Sequence, residues 1–506
     1  MRFIAFLSFV ATVSAGPIPD ATLSKAGPHS SKFSSQSQAS PVASTRSTRT
    51  PLPAPSGNIA SAWWTDYHAA STWGISWEKY NHLMYSFAVP QADGSLTMPS
   101  STDDMIKNFT DTAHAKNIPV SLTVGGWGGG AAFSALVASA NMRTTFITAL
   151  SNLVAQHEFD GIDFDWEYPT TADDVANFLL LLQEMRANPS TSNLILSAAT
   201  PVTGPWINTA DVSGFAKVFD FIEIMNYDVW GPWSNAIGPN APLDDSCASS
   251  HQEGSATSAV QKWTAAGMPA NKIVLGVASY GHAYMFQGSD FAAFAPFTPN
   301  GPLAPTDSWN PPPSSSMEFW GLIQLGYLSE DGTAKSGINY IFDSCSKTAY
   351  VHDPSKQVVV SYDDVPAFQA KGELIVSKGL RGFAMWEAGG DYKDMLLDAI
   401  LNSSSSGSSS GGSSSASMNM GMSSTNSMNT GTPSTSSMVM ESSATGSMSM
   451  MQTTSTGAMD MPGATPTGSI GMTTTGSMDM GTTATPTMDM GSTNSSTIPI
   501  WMTERW

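Results

Sequence analysis

The chain has 506 residues, with 41 Asp and Glu against 21 Lys and Arg, giving a formal net charge of −20. That balance, with no basic patch, opposes binding to nucleic acid or to an anionic membrane surface, while the length allows a domain with a sizeable core. Only 12% of the residues are charged, so carboxylates crowded into an apolar run call for a chemical reason.

The opening stretch, "MRFIAFLSFVATVSAG", has a positive start at Arg2, an apolar run from Phe3 to Val13 and small residues up to Ala15. This predicts a signal peptide over residues 1–15, and so a secreted protein of the extracellular space or cell wall. A buried N-terminal helix is the alternative. The run is shorter than the ~20 apolar residues that cross a bilayer, and no later segment approaches them, so no membrane span is expected. Residues 16–57 are rich in Ser, Pro and Thr without apolar periodicity and are read as a linker or propeptide.

From 58 to 401, short β-branched or apolar runs alternate with longer amphipathic ones, the pattern of βα repeats. The strand candidates start at Ile59, His82, Pro119, Phe159, Leu194, Phe221, Ile273 and Gly382. Helical periodicity falls on 103–117, 134–156, 171–187, 255–266 and 366–378. Eight such strands predict an α/β fold, a closed (β/α)8 TIM barrel whose site gathers at the C-terminal ends of the strands. Residues 283–357, about 75 in all, break the rhythm and are read as a small α+β insertion between strands 7 and 8. Trp309, Phe319, Trp320, Tyr340 and Phe342 belong to that insertion or its subdomain core, and each is also a candidate for a groove wall.

The chemistry concentrates in "DGIDFDWEYP". Side chains alternate along a strand, so Asp163, Asp165 and Glu167 point the same way, about 6.6 Å apart, while Ile162, Phe164 and Trp166 face the helices. In a barrel this aims a row of acids up the interior, and like charges so close raise at least one pKa and favour a shared proton. Glu167, uppermost, is suited to act as a general acid. Metal binding is the alternative for three carboxylates. No histidine stands at ligand spacing, so neither a metal nor another cofactor is expected.

From 402 to 506 the chain is Ser, Thr, Gly and Met with six charged residues, and is read as a disordered tail resembling an O-glycosylated stalk. Its methionine clusters could hold soft copper ions, although flexible filler explains them more simply. Asn108, Asn402 and Asn494 head glycosylation sequons, and the two cysteines, Cys247 and Cys345, are expected to pair in an exported chain. A glycosylated stalk with the barrel as passenger is a further reading of the tail.

Asp160, Asp163, Asp165 and Glu167 match the DxxDxDxE signature, and the chain thereby resembles family-18 glycoside hydrolases, the chitinases and their relatives. The likeness extends over roughly 58–401 through "SLTVGGW", "MNYD", "LGVASYG", "VSYDD" and "GFAMWE", and the long insertion resembles that of the deep-groove chitinases. It implies hydrolysis of β-1,4-linked N-acetylglucosamine in chitin or its oligomers, with retention, the substrate's own acetamide serving as nucleophile. The catalytic set implied is Glu167, Asp165, Asp163 and Tyr227. Trp386 would floor the reacting sugar, and Asp228, Met225, Trp127 and Trp230 are candidates for its surroundings. Thr123 stands where the family motif usually has Ser, and His282 where many relatives carry Arg. A monomer is expected. The alternatives are a catalytically silent chitin-binding lectin and an endo-N-acetylglucosaminidase acting on N-glycans.

Overall fold

The computed structural model describes residues 49–68, 75–209, 212–248, 252–297, 304–310 and 314–405. The signal peptide reading and nearly all of the tail reading lie outside the described residues. Eight parallel strands close into a barrel: β1 (Ile59–Thr65), β2 (His82–Pro90), β3 (Val120–Gly125), β4 (Gly161–Asp165), β5 (Ile195–Thr200), β6 (Ile222–Ile224), β7 (Ile273–Ala278) and, after the insertion, β13 (Gly382–Trp386). Each pairs with its predecessor, and β13 pairs with both β7 and β1 while β1 pairs with β2, so no edge is left among them. All eight expected strands form. Their β-branched and aromatic residues suit a pleated surface covered on both sides.

The helices packed outside begin where polar side chains can satisfy free backbone N–H groups. Thr102 caps α1 (Asp103–Ala115), Ser139 caps α2 (Ala140–His157), and Thr171 with Asp174 forms a capping box on α3 (Ala172–Ala187). The predicted helix over 134–156 is thus two pieces, because Ser139 accepts from Met142 N at 3.3 Å and restarts the coil after a short turn at Phe133–Val137. Further on lie α4 (Val212–Val218), α5 (Ala256–Ala265), α6 (Val365–Lys378) and α7 (Met395–Ser405).

Between β7 and β13 the chain builds a second, antiparallel sheet from β8 (Tyr280–Met285), β9 (Ser316–Glu318), β10 (Asn339–Asp343), β11 (Thr348–Asp353) and β12 (Val358–Tyr362). A short helix, Phe319–Gln324, accompanies it, so the insertion is α+β as expected. Phe319 is core here, packed near Tyr362, and Tyr340 donates its phenol proton to Asp364 Oδ2 at 2.6 Å. Cys247 and Cys345 are bonded and tie the loop after β6 to this sheet.

The end of the Ser/Pro/Thr-rich segment is not detached. Arg49 pairs with Asp160, and Leu52 N donates to the same carboxylate at 2.6 Å. Asp160 also accepts from Val120 N at 2.9 Å and pairs with His114 at 2.8 Å. These bonds pull its pKa below the ordinary value despite the opposing effect of burial. The first acid of the motif thus anchors the entrance of β4.

Candidate active site

The alternation along β4 gives the predicted two faces. Phe164 and Trp166 pack edge-on against Phe178 of α3, with ring centres 5.4 and 5.5 Å away. On the opposite face Asp163 is fully buried and accepts from Trp63 Nε1 at 3.0 Å, Thr123 Oγ1 at 3.0 Å and Ser197 Oγ at 2.8 Å. Thr123 therefore supplies the same hydroxyl donor that a serine would. Burial raises the Asp163 pKa and the three donors oppose that rise. Asp165, the last residue of β4, is 4% exposed, and its Oδ1 has no hydrogen-bond partner. Burial first, then Glu167 and Asp163, push its pKa well above the ordinary value.

Glu167 lies two residues past the strand and opens into a cavity of about 610 Å³ at the C-terminal end of the barrel. Asp165, Tyr227, Met225, Asp228, Trp127 and Trp386 line the same cavity. Tyr227 follows the end of β6. Its phenol pKa is raised by burial and then by Asp165, Glu167 and Asp228, which places it among all three carboxylates. Trp386 closes β13, held by Trp63 at 5.8 Å and by Phe87 stacked at 5.7 Å. An indole in that position offers a flat apolar floor of the kind that takes one face of a pyranose.

Trp230 lies apart from the cavity, unlike the other aromatic candidates. It is 4% exposed, sits edge-on to Phe294 at 5.4 Å and covers Gly238, where a Cβ would come within 2.2 Å of its ring. Sequence position at a strand end could not distinguish this packing role from a lining one. Of the insertion aromatics, Trp309 lines the cavity, stacked on His68 at 4.2 Å.

Several lining residues escaped the sequence reading. Glu387 accepts from Thr65 Oγ1 and lies 2.6 Å from His68 Nδ1. Glu318 reaches the same wall from the insertion, taking Asn310 Nδ2 at 3.2 Å. Glu387 was marked by its place directly after Trp386 at a strand end, closing the stretch "GFAMWE", but nothing there assigned it a role. Nothing marked Glu318, because its position depends on the fold of the insertion. Near Asp163, Glu223 of β6 is fully buried, and burial followed by Asp163 drives its pKa well up.

The family model of glycosyl hydrolases family 18 matches residues 61–391, which contain all of the barrel strands but the first two residues of β1, the insertion and every lining residue above. The chain belongs to that family. Among family relatives, a protein of Moniliophthora perniciosa called a chitinase-like effector is 43% identical over 363 residues, covering 64% of this chain and 82% of its own. Chitinase 1 of Aphanocladium album is 29% identical over 359 residues, covering 64% and 78%. A crystal structure of a chitinase from Rhizomucor miehei superposes with a TM-score of 0.61 at 29% identity, over 68% of this chain and 100% of that one. The family-18 barrel is thus identified by sequence and by fold together.

Proposed function

We propose that this family-18 protein is a secreted chitinase that hydrolyses β-1,4-linked N-acetylglucosamine in chitin or its oligomers with retention of anomeric configuration. The observation that carries the reading is the convergence of Glu167, Asp165, Tyr227 and Trp386 on one cavity. In the first half of the reaction the acetamide carbonyl oxygen attacks the anomeric carbon of its own sugar. The glycosidic C–O bond breaks as Glu167 gives its proton to the departing oxygen, leaving an oxazolinium ion. Water then adds to the anomeric carbon from the side the leaving group vacated, Glu167 takes its proton, and the acetamide is restored.

The surrounding groups suit these steps. Asp165 Oδ1 is a buried acceptor without a partner, able to receive the acetamide N–H and offset its growing positive charge. Asp163, with three donors already in place, can hold negative charge when Asp165 turns away from it. Tyr227 remains a phenol at any working pH and can donate to the acetamide oxygen, holding it near the carbon it attacks. Such intramolecular positioning can be worth about 7–11 kcal/mol in favourable systems.

Release of reducing sugar from colloidal chitin and from N-acetylglucosamine tetramers tests the assignment. Wild type is expected to release it, with the β-anomer formed first by NMR. Glu167→Gln is expected to bind the tetramer and to release almost nothing. Unchanged turnover in that variant would falsify the role of the acid. A second reading, a non-hydrolytic chitin-oligomer binder, is suggested by the effector name of the 43%-identical relative. It predicts binding without release by the wild type as well.

A further inference from the structure

The eight barrel strands carry three acids, Asp163, Asp165 and Glu223, and no Lys or Arg. The hydrolytic reading uses the first two and leaves Glu223 without a task. Its chain neighbours Ile222 and Ile224 belong to the outer core shared with the helices, so Glu223 points into the closed interior, where it is fully buried.

Strand register shows what it meets there. Asp163 pairs with Ser197 and Phe164 with Ala198 across β4 and β5, and Ala199 pairs with Glu223 across β5 and β6. Asp165 and Glu223 therefore stand at one level with the methyl of Ala199 between them, and Ser197 lies one inward position below, beside Asp163. On its other side Glu223 pairs with the apolar Val274 of β7. The titratable groups beneath it bring no compensating charge. Burial lowers the pKa of His82 on β2 to about 4, and Arg381 lies under the ring of Phe221 with its guanidinium given to the carbonyls of Asp220 and Pro55. A carboxylate shut in beside two others is costly, so burial and Asp163 keep the proton on Glu223.

A hydroxyl has one proton to give and two lone pairs to receive with. Ser197 gives its proton to Asp163 Oδ1 at 2.8 Å, which leaves its oxygen open to a donor, and Glu223 is the acid beside it. We propose that Glu223 is a positioning residue for hydrolysis, its carboxyl O–H directed at the Ser197 oxygen so that the single Ser197 proton stays committed to Asp163. The inference rests on the hydrolytic reading, in which Asp165 turns from Asp163 to the acetamide. The charge then left on Asp163 is met by Trp63, Thr123 and Ser197, and a hydroxyl that itself receives a hydrogen bond donates a stronger one. An ionised Glu223 would do the reverse, drawing the Ser197 proton to itself and setting a second negative charge beside Asp163.

Two replacements of similar length separate this role from packing, because Glu223→Gln keeps a donor that cannot ionise and Glu223→Met keeps the bulk alone. With N-acetylglucosamine tetramers as substrate, the Met variant is expected to lose about five-fold in kcat, the worth of one hydrogen bond, with KM nearly unchanged, while the Gln variant retains most of the wild-type kcat. Since the effect passes through Ser197, the loss should vanish when Ser197→Ala is already present. Infrared difference spectra of wild type against Glu223→Gln at neutral pH give a readout that does not depend on the Met variant folding: the carbonyl band of a protonated acid should disappear in the variant. Equal kcat in the two variants, a loss that persists without the Ser197 hydroxyl, or absence of that band overturns the proposal. In each of these cases an active wild type leaves the hydrolytic reading standing, whereas a wild type that releases no sugar removes both.

Discussion

His282 Nε2 stands 2.8 Å from Asp228 Oδ1, the same oxygen that accepts the Tyr280 phenol proton at 2.6 Å. Asp228 itself has a left-handed backbone, φ 53°, and its N–H donates to Asn240 Oδ1 at 2.9 Å. Two residues of β8 thus hold the carboxylate at the cavity wall, and Asn240, in the loop after β6, holds its backbone. The histidine fills the position of the expected arginine by holding this acid from behind, with Ser315 3.1 Å from its other ring nitrogen.

If that clamp positions Asp228 for catalysis, His282→Ala and Tyr280→Phe should each lower kcat/KM by about ten-fold, since small misplacements near reacting atoms are costly. The two share a partner oxygen, so the double variant should lose less than the product of the single losses. Strict multiplication in steady-state assays would argue that the two contacts act separately.

Tyr227→Phe removes one hydroxyl from the group placed to hold the acetamide. The expected outcome is a fall of about 10²-fold in kcat with little change in KM, because the bond strengthens as charge develops on the oxygen it contacts. A large rise in KM at constant kcat would assign Tyr227 to ground-state binding instead. Burial and three neighbouring carboxylates hold its proton on, so no alkaline limb in the pH profile should vanish with the substitution.

Glu223 gives a pH signature of stability. Its pKa in the fold is raised well above the ordinary 4.5, so above that pH the folded chain holds a proton the unfolded chain has released. Stability from this group therefore falls as pH rises from about 4.5 toward the folded value. Glu223→Gln removes that slope. Thermal melting should show little difference between variant and wild type near pH 4, and a Tm gain that grows toward neutrality, about 2–4 °C for each kcal/mol. A constant offset at every pH would mean the carboxyl is not the neutral acid described.

Lys371 of α6 and Asp363 after β12 form an ion pair with neither side chain exposed. Burial outweighs the lysine's attraction at Oδ2 and pushes the Asp363 pKa up to about 6, and its Oδ1 has no hydrogen-bond partner. Lys371→Met should cost about 3–5 kcal/mol in denaturant unfolding, because the remaining carboxyl is buried alone. Combining it with Asp363→Leu should recover most of the loss. Failure to recover would show that the two residues also serve packing.

Much of this was written locally. The alternation of "GIDFDWE" assigned acids to one face and aromatics to the other, and eight such apolar runs with intervening amphipathic segments are enough to imply closure. Glu167, Asp165, Tyr227 and Trp386 were legible because each sits at or just beyond the end of a strand, where such barrels gather their chemistry. Trp230 satisfied the same rule and is nevertheless core, its ring packed over Gly238 where any Cβ would collide with it.

What the sequence determined by itself was the periodicity of each strand, and hence which side chains share a face, because that depends only on residues two apart. Only the closed barrel decided that Glu387 would meet Thr65 across 322 residues, that Glu318 would arrive from the insertion, that His282 would clasp Asp228, and that Arg49 would lock Asp160. Those meetings depend on how loops and insertion pack over the strand ends, which no short-range pattern encodes.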